Sequence, residues 1–420
     1  QPASDELASA SKNEKNTPRV FTLSSGMRLV CCRAAVAAEY FGVAVNAGSR
    51  DEAPGRFGLA HFVEHTIFKG TGRRRACHII NRMEAVGGDL NAFTSKEETN
   101  VYSVFPRGNL TRAIDLIADL VMNSRFPDAE LDREREVVRD EIDSYLDIPS
   151  EAVFDDFEDL FFKDSQLGHN ILGTDSALDG FTSEVCRRYL EDSFCADRMV
   201  AYYLGTEAPE KVCAKVERGF AEIRAKGEPL RRFLPPVNAP FSLRRATDTH
   251  QSHTVAGARL PGLDYDKLDA IALLTNILGG PGMNSRLNVA LRERRGLVYS
   301  VEASTTFFSD CGEFNIYFGC DPCDRDRCLE LVFRELSQMA DHPLTPRALT
   351  AARKQLLGQL IVASESLEQT ALSMGRRLLL KGDVRTPREV RDSIASITAD
   401  DLLEVAAMLR PELCSVLSIG

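Results

Sequence analysis

The chain has 420 residues, 44% hydrophobic and 27% charged, with a formal net charge of −11. That length predicts two domains, with three as the alternative, of ordinary globular composition. No apolar run approaches the length of a membrane span, and the acidic balance argues against nucleic acid while allowing a cationic partner.

The 11 cysteines are odd in number and scattered, which predicts reduced thiols and a cytoplasmic setting rather than a disulfide framework. The opening residues are polar and charged over 1–17, a tail without the apolar segment of a signal peptide. A periplasmic or organellar location after leader removal stays as the alternative.

In chain order, Val20 to Leu23 and Met27 to Cys32 read as a hairpin about Ser24-Ser25-Gly26, and Tyr40 to Val45 as a strand. The stretch from Gly58 to Phe68 is apolar nearly all round, so a helix here should be buried. Its polar exceptions, His61, Glu64 and His65, stand at i, i+3 and i+4 and share one face. A buried stripe of ionisable groups is costly unless it is paired. Two core histidines satisfied by backbone carbonyls would be the plain explanation. The chemical one is a zinc ion, which takes two imidazoles one turn apart, needs a third protein ligand and leaves a fourth position for water. The pattern is the inverted zinc motif, and it sets Glu64 beside that water as a general base.

A helix over Arg74 to Val86 should stop at Gly87-Gly88. Leu90 to Ser95 and Thr99 to Phe105 form a second predicted hairpin. Asn109 to Met122 is an amphipathic helix. Pro127-Asp128 opens a long charged helix to about Tyr145, and more helix follows over Glu151 to Asp164. Pro-rich residues 227–240 read as a linker. This divides the chain into a metal-binding domain, 18–226, and a second domain, 241–420.

After the linker the order of elements repeats. Leu268 to Leu278 takes the place of the histidine helix. Val298 to Thr306 and Glu313 to Gly319 replace the second hairpin. Asp324 to Met339 and the helix opened by Thr345-Pro346 follow. The overlay puts Ile271, Leu274 and Thr275 at His61, Glu64 and His65, and Gln359 at Glu141. Only the first half keeps the ionisable stripe, which predicts one metal site per chain. Cys320-x-x-Cys323 with Cys328 resembles a metal site, but no second pair follows. The fold class predicted is α+β: two similar domains in tandem, each a mostly antiparallel sheet with helices packed on one face.

The third ligand should come from a facing helix, and the candidates lie in Glu134 to Ile142, where Glu134 and Glu141 are two turns apart on one face. A solvated charged face is the competing reading. At this point the chain resembles the pitrilysin-like zinc peptidases, in particular the short-chain group with the mitochondrial processing peptidases. The resemblance runs from about Pro18 to the end. It rests on His61-Phe62-Val63-Glu64-His65 with Phe68-Lys69-Gly70-Thr71, on Gly87-Gly88-Asp89-Leu90-Asn91-Ala92-Phe93-Thr94, and on the helix ending at Glu141-Ile142. In the second half it rests on Gly279 to Leu287 and on Leu291-Arg292-Glu293-Arg294-Arg295-Gly296-Leu297-Val298-Tyr299-Ser300.

The resemblance implies a zinc metalloendopeptidase with one Zn2+ held by His61, His65 and Glu141. Glu64 is then the base and Glu134 the companion carboxylate that orients the site. Asn91, Ala92, Phe93 and Thr94 form the edge strand that holds substrate backbone. Arg292 and Tyr299 grip the substrate carbonyl. Phe68 lines a pocket or simply packs in the core. Glu151 and Asp155 match acidic positions that bind a substrate arginine, against the plainer reading of an exposed acidic helix. His253 matches a recurrent position without an assigned role. The family further implies a clamshell homodimer, or a heterodimer, acting on unfolded and cationic peptides. The alternative is a non-catalytic family member, a scaffold or a peptide-binding subunit.

Overall fold

The computed structural model describes residues 17–247 and 250–420. The expected polar tail lies outside the described residues, residue 17 apart. The chain forms two compact units. The first comprises the described residues up to Ile142 with Asn170–Arg232 and Ser364–Thr386, and the second Asp143–His169, Phe233–Ala363 and Pro387–Gly420. No described helix is long and apolar enough to cross a membrane.

The first unit is built on six strands, β1 (Arg19–Thr22), β2 (Arg28–Arg33), β3 (Ala38–Val45), β4 (Asp89–Thr94), β5 (Thr99–Pro106) and β6 (Met199–Gly205), in the order β1-β2-β6-β3-β5-β4. All neighbours are antiparallel except β2 and β6. Alternation along each strand divides the side chains between two faces. Leu29, Cys31, Phe41, Val43, Ala201 and Tyr203 join one core with the helices Leu59–Thr66, Leu110–Asn123, Ser183–Ser193 and Pro209–Gly219. Val30, Cys32, Ala44, Val200, Tyr202 and Leu204 lie on the opposite face, under Ala371, Met374, Leu378 and Leu379 of the helix Leu367–Lys381.

The second unit has five strands, β7 (Ser242–Arg245), β8 (Ser252–Pro261), β9 (Val298–Phe307), β10 (Cys311–Cys320) and β11 (Ser415–Ile419), in the order β7-β11-β8-β10-β9. Only β7 and β11 run parallel. Ala258, Leu260, Phe314, Ile316 and Phe318 face the helices Leu268–Gly279, Arg325–Asp341 and Ala399–Ala407. On the other face Val255, Tyr317, Leu417 and Ile419 pack with Val153 and Phe157 of the helix Pro149–Phe161.

The packing therefore redraws the expected boundaries 18–226 and 241–420. Residues 143–169 belong with the second unit and 364–386 with the first. The cause is that each sheet is apolar on both faces while the helices nearest in sequence cover only one. A helix from the other half of the sequence covers the second. The expected linker carries no helix or strand, and the division between the units falls inside it, after Arg232. Arg232 is fixed to the first unit by two bonds to the Asp51 carboxylate, 2.8 and 2.7 Å. In the second half, Ile271 and Leu274 are core residues and Thr275 turns its hydroxyl onto the Ile271 carbonyl, 2.8 Å.

Candidate metal centre

The histidine helix begins at Gly58, whose φ of 96° favours glycine. A Cβ there would stand 2.6 Å from the Leu172 carbonyl oxygen, so the loop carrying Leu172 seats the helix start closely. The buried Glu52 carboxylate accepts the first free amides, Gly58 N at 2.9 Å and Ala60 N at 2.6 Å. The α-helix spans Leu59–Thr66 and tightens into a 3-10 turn over Ile67–Lys69, so it is shorter than the expected run to Phe68. Leu59, Phe62, Val63 and Ile67 enter the core. His61, Glu64 and His65 then share the face turned to the helix Asp128–Leu146. Of that long charged helix only Leu131, Glu134 and Val138 are buried.

The two helices bring the candidates together. Glu141 Oε2 lies 3.6 Å from His61 Nε2 and 3.4 Å from His65 Nε2. The ligand atoms of His61, His65 and Glu141 all fall within 4.8 Å of one another, the one such group among the described residues. His65 Nδ1 meets Glu134 Oε1 at 3.1 Å, and Lys69 Nζ meets Glu134 Oε2 at 2.7 Å. Glu64 Oε2 accepts a hydrogen bond from Thr94 Oγ1 in β4, 3.1 Å.

Electrostatics favour a cation here. Burial, helped by the neighbouring His65, pushes His61 down to about 3, so its ring is neutral and carries a lone pair at neutral pH. Its Nδ1 is buried without a hydrogen-bond partner, so no carbonyl satisfies it as a plain core histidine would require. Burial raises the Glu64 carboxyl, with His65 and Thr94 opposing and Glu141 adding to the rise. Two imidazole nitrogens and a carboxylate oxygen are a donor set that suits zinc. The Glu141 side chain is 42% exposed, so solvent reaches the trio.

The other candidates divide between the units. Asn91, Ala92, Phe93 and Thr94 lie in β4, an edge strand that among the described residues pairs with β5 alone. Phe68 is half-buried against the first core, consistent with packing. Arg292 and Tyr299 belong to the second unit. Arg292 is exposed on a π-helical turn, Asn288–Glu293, and Tyr299 is the second residue of β9, its phenol donating to Asp321 at 2.9 Å. Glu151 and Asp155 are also in the second unit, and Asp155 accepts the Tyr145 phenol. His253 Nδ1 pairs with the Tyr317 hydroxyl, 2.9 Å. Cys320 and Cys328 are buried against each other, whereas Cys323 is exposed. Sequence reasoning missed Glu52, Lys69 and the Thr94–Glu64 bond. Only Lys69 left a signal, its place four residues beyond His65.

Comparison with known proteins adds the lineage. Residues 34–175 match the insulinase model, peptidase family M16, and residues 180–356 match the M16 inactive-domain model. An uncharacterized zinc protease of Streptomyces coelicolor is 34% identical, covering 93% of this chain and 86% of its own. One of Bacillus subtilis is 30% identical, covering 93% and 95%. A Pseudomonas fluorescens structure described as a peptidase M16 inactive domain superposes with a TM-score of 0.90 at 17% identity, covering 96% of this chain and 98% of that one. A Helicobacter pylori protease reaches 0.88 at 18% identity, covering 96% and 100%. The ionisable stripe falls in the half matched by the peptidase model and its apolar counterparts in the half matched by the inactive-domain model, and the chain belongs to peptidase family M16, the insulinase family.

Proposed function

We propose that the chain is a zinc endopeptidase that cleaves unfolded peptides, with His61, His65 and Glu141 holding one ion per chain and Glu64 as general base. The observation that carries this reading is the approach of one Glu141 oxygen to both imidazoles, with Glu64 beside them. Bound zinc would supply an acidified water and positive charge at the substrate carbonyl.

The chain's own groups do the rest. Glu64 takes a proton from water and returns it to the departing amine, and its burial-raised proton affinity suits that task. Thr94 fixes the carboxylate by donating to Oε2. Glu134 accepts the His65 Nδ1 proton and so presents Nε2 as the ligand atom. The free edge of β4 offers the Asn91 to Thr94 backbone to an extended peptide, so binding tolerates many sequences but demands an unfolded segment.

In this proposal Arg292 and Tyr299 hold the carbonyl and its oxyanion at the centre of a partner chain, inside a clamshell homodimer. One such donor is worth about 2.7–4 kcal/mol of transition-state stabilisation. Glu151 and Asp155 would favour cationic peptides, and the reduced cysteines a cytoplasmic setting.

Two measurements test the reading. A quenched peptide should be cut by the wild type, spared after chelation, and cut at least ~100-fold more slowly by Glu64→Gln with zinc retained. Unchanged cleavage in that variant rejects the base. Mixing Glu64→Gln with Tyr299→Phe chains should restore activity. No restoration, with subunit exchange shown, rejects the shared site.

A further inference from the structure

Three carboxylates, Glu64, Glu134 and Glu141, surround the two imidazoles, and one ammonium group answers them. Lys69 Nζ sits 2.7 Å from Glu134 Oε2, while Glu134 Oε1 meets His65 Nδ1. We infer that Lys69 is a positioning residue of the metal centre, acting through Glu134 to fix the His65 tautomer and to set the site's charge. The inference rests on the zinc reading above.

The local backbone explains how Lys69 comes to be there. In a regular helix a residue four beyond His65 lies on the same face. The 3-10 turn over Ile67–Lys69 closes the helix at that point. The turn is clamped from the next segment, where the Ser124 hydroxyl donates to the Ile67 carbonyl at 2.8 Å and the Arg125 amide to the Gly70 carbonyl at 2.9 Å. Lys69 is thus held toward the glutamate helix rather than left in solvent. Its side chain is 29% exposed and that of Glu134 only 10%, so the pair is screened little.

Lys69 places one ammonium group against the carboxylate that meets His65 Nδ1, so its loss would remove a positive charge from a cluster of three carboxylates. The pairing also distinguishes the two histidines. His65 has its Nδ1 proton accepted by an oriented carboxylate, whereas His61 Nδ1 has no hydrogen-bond partner. Orientation of the tautomer at this centre therefore rests on the Lys69–Glu134–His65 relay alone. Loss of such an outer partner commonly costs ~10–100-fold in metal affinity.

The test is zinc affinity by chelator competition on the full chain, with wild type, Lys69→Met, Lys69→Gln and Lys69→Arg each checked by circular dichroism. The two neutral variants should bind zinc ~10–100-fold more weakly and Lys69→Arg within a few-fold of wild type. At saturating zinc the neutral variants should lose kcat and keep KM, because Lys69 does not touch peptide. In a Glu134→Gln background, Lys69→Met should weaken zinc no further. Wild-type affinity in both neutral variants, a change in KM alone, or a Lys69 effect that persists without Glu134 would each overturn the inference. A wild type that binds no zinc removes the metal reading itself, and this inference with it. A wild type that binds zinc no better than Lys69→Met removes only this one.

Discussion

Glu52 lies outside the histidine stripe, yet it caps the helix that carries it. The residue is 6% exposed and its carboxylate takes two amides, Gly58 N at 2.9 Å and Ala60 N at 2.6 Å. Glu52→Gln keeps the size but removes the charge and turns an amide NH2 toward one of those N–H groups. One charge-assisted bond, about 1.5–3 kcal/mol, is lost. The interaction of the charge with the helix N-terminus, about 0.3–1 kcal/mol, goes with it. The expected destabilisation of the first unit is therefore about 2–4 kcal/mol. Urea unfolding of metal-free protein should show it by far-UV circular dichroism, which is needed because the chain has no Trp. Zinc affinity should fall as well, since the cap sets the position of His61 one turn later. A variant with the wild-type midpoint and wild-type zinc affinity would refute the argument that this carboxylate holds the helix start.

Further outcomes concern packing and acid stability. Phe157 is fully buried, with Phe161 and Phe241 rings 5.2 and 5.8 Å away. Phe157→Ala should destabilise the second unit by about 3–5 kcal/mol, while leaving zinc affinity unchanged; equal loss in both units would show that the helix exchange is not confined to local packing. Glu39 is buried, which alone would raise its carboxyl, but hydrogen bonds from the Thr206 hydroxyl and amide, the Tyr203 phenol and the Gly108 amide lower it below its usual 4.5. A depressed folded value gives stability that is complete above 4.5 and is lost as pH falls through the folded value. The stability advantage of wild type over Glu39→Gln should therefore shrink between pH 6 and pH 3, and a constant difference would reject it.

Much of the site was readable because its signals are local. His61, Glu64 and His65 are one helical turn, and the period of the helix alone puts them on one face. Glu134 and Glu141 are two turns of another helix. The hairpins at β1–β2 and β4–β5 are short-range pairings, legible from turn residues and alternation. Less local features escaped. Met199–Gly205 is a fully buried strand that enters the sheet between β2 and β3, and its continuous apolar run has no alternation to betray it. Glu52 reads as a turn residue, and nothing in its neighbours announces a cap for a helix starting seven residues later.

The sequence by itself determined the candidate donor types, their spacing along two helices, the repeat of the two halves and the lack of the ionisable stripe in the second, because each depends on residues near one another in the chain. Only the tertiary structure decided that one Glu141 oxygen meets both imidazoles, that Lys69 answers Glu134, and that the two halves exchange a helix. Those outcomes depend on which apolar surface is left uncovered once the local elements form, and that surface exists only after the sheets assemble.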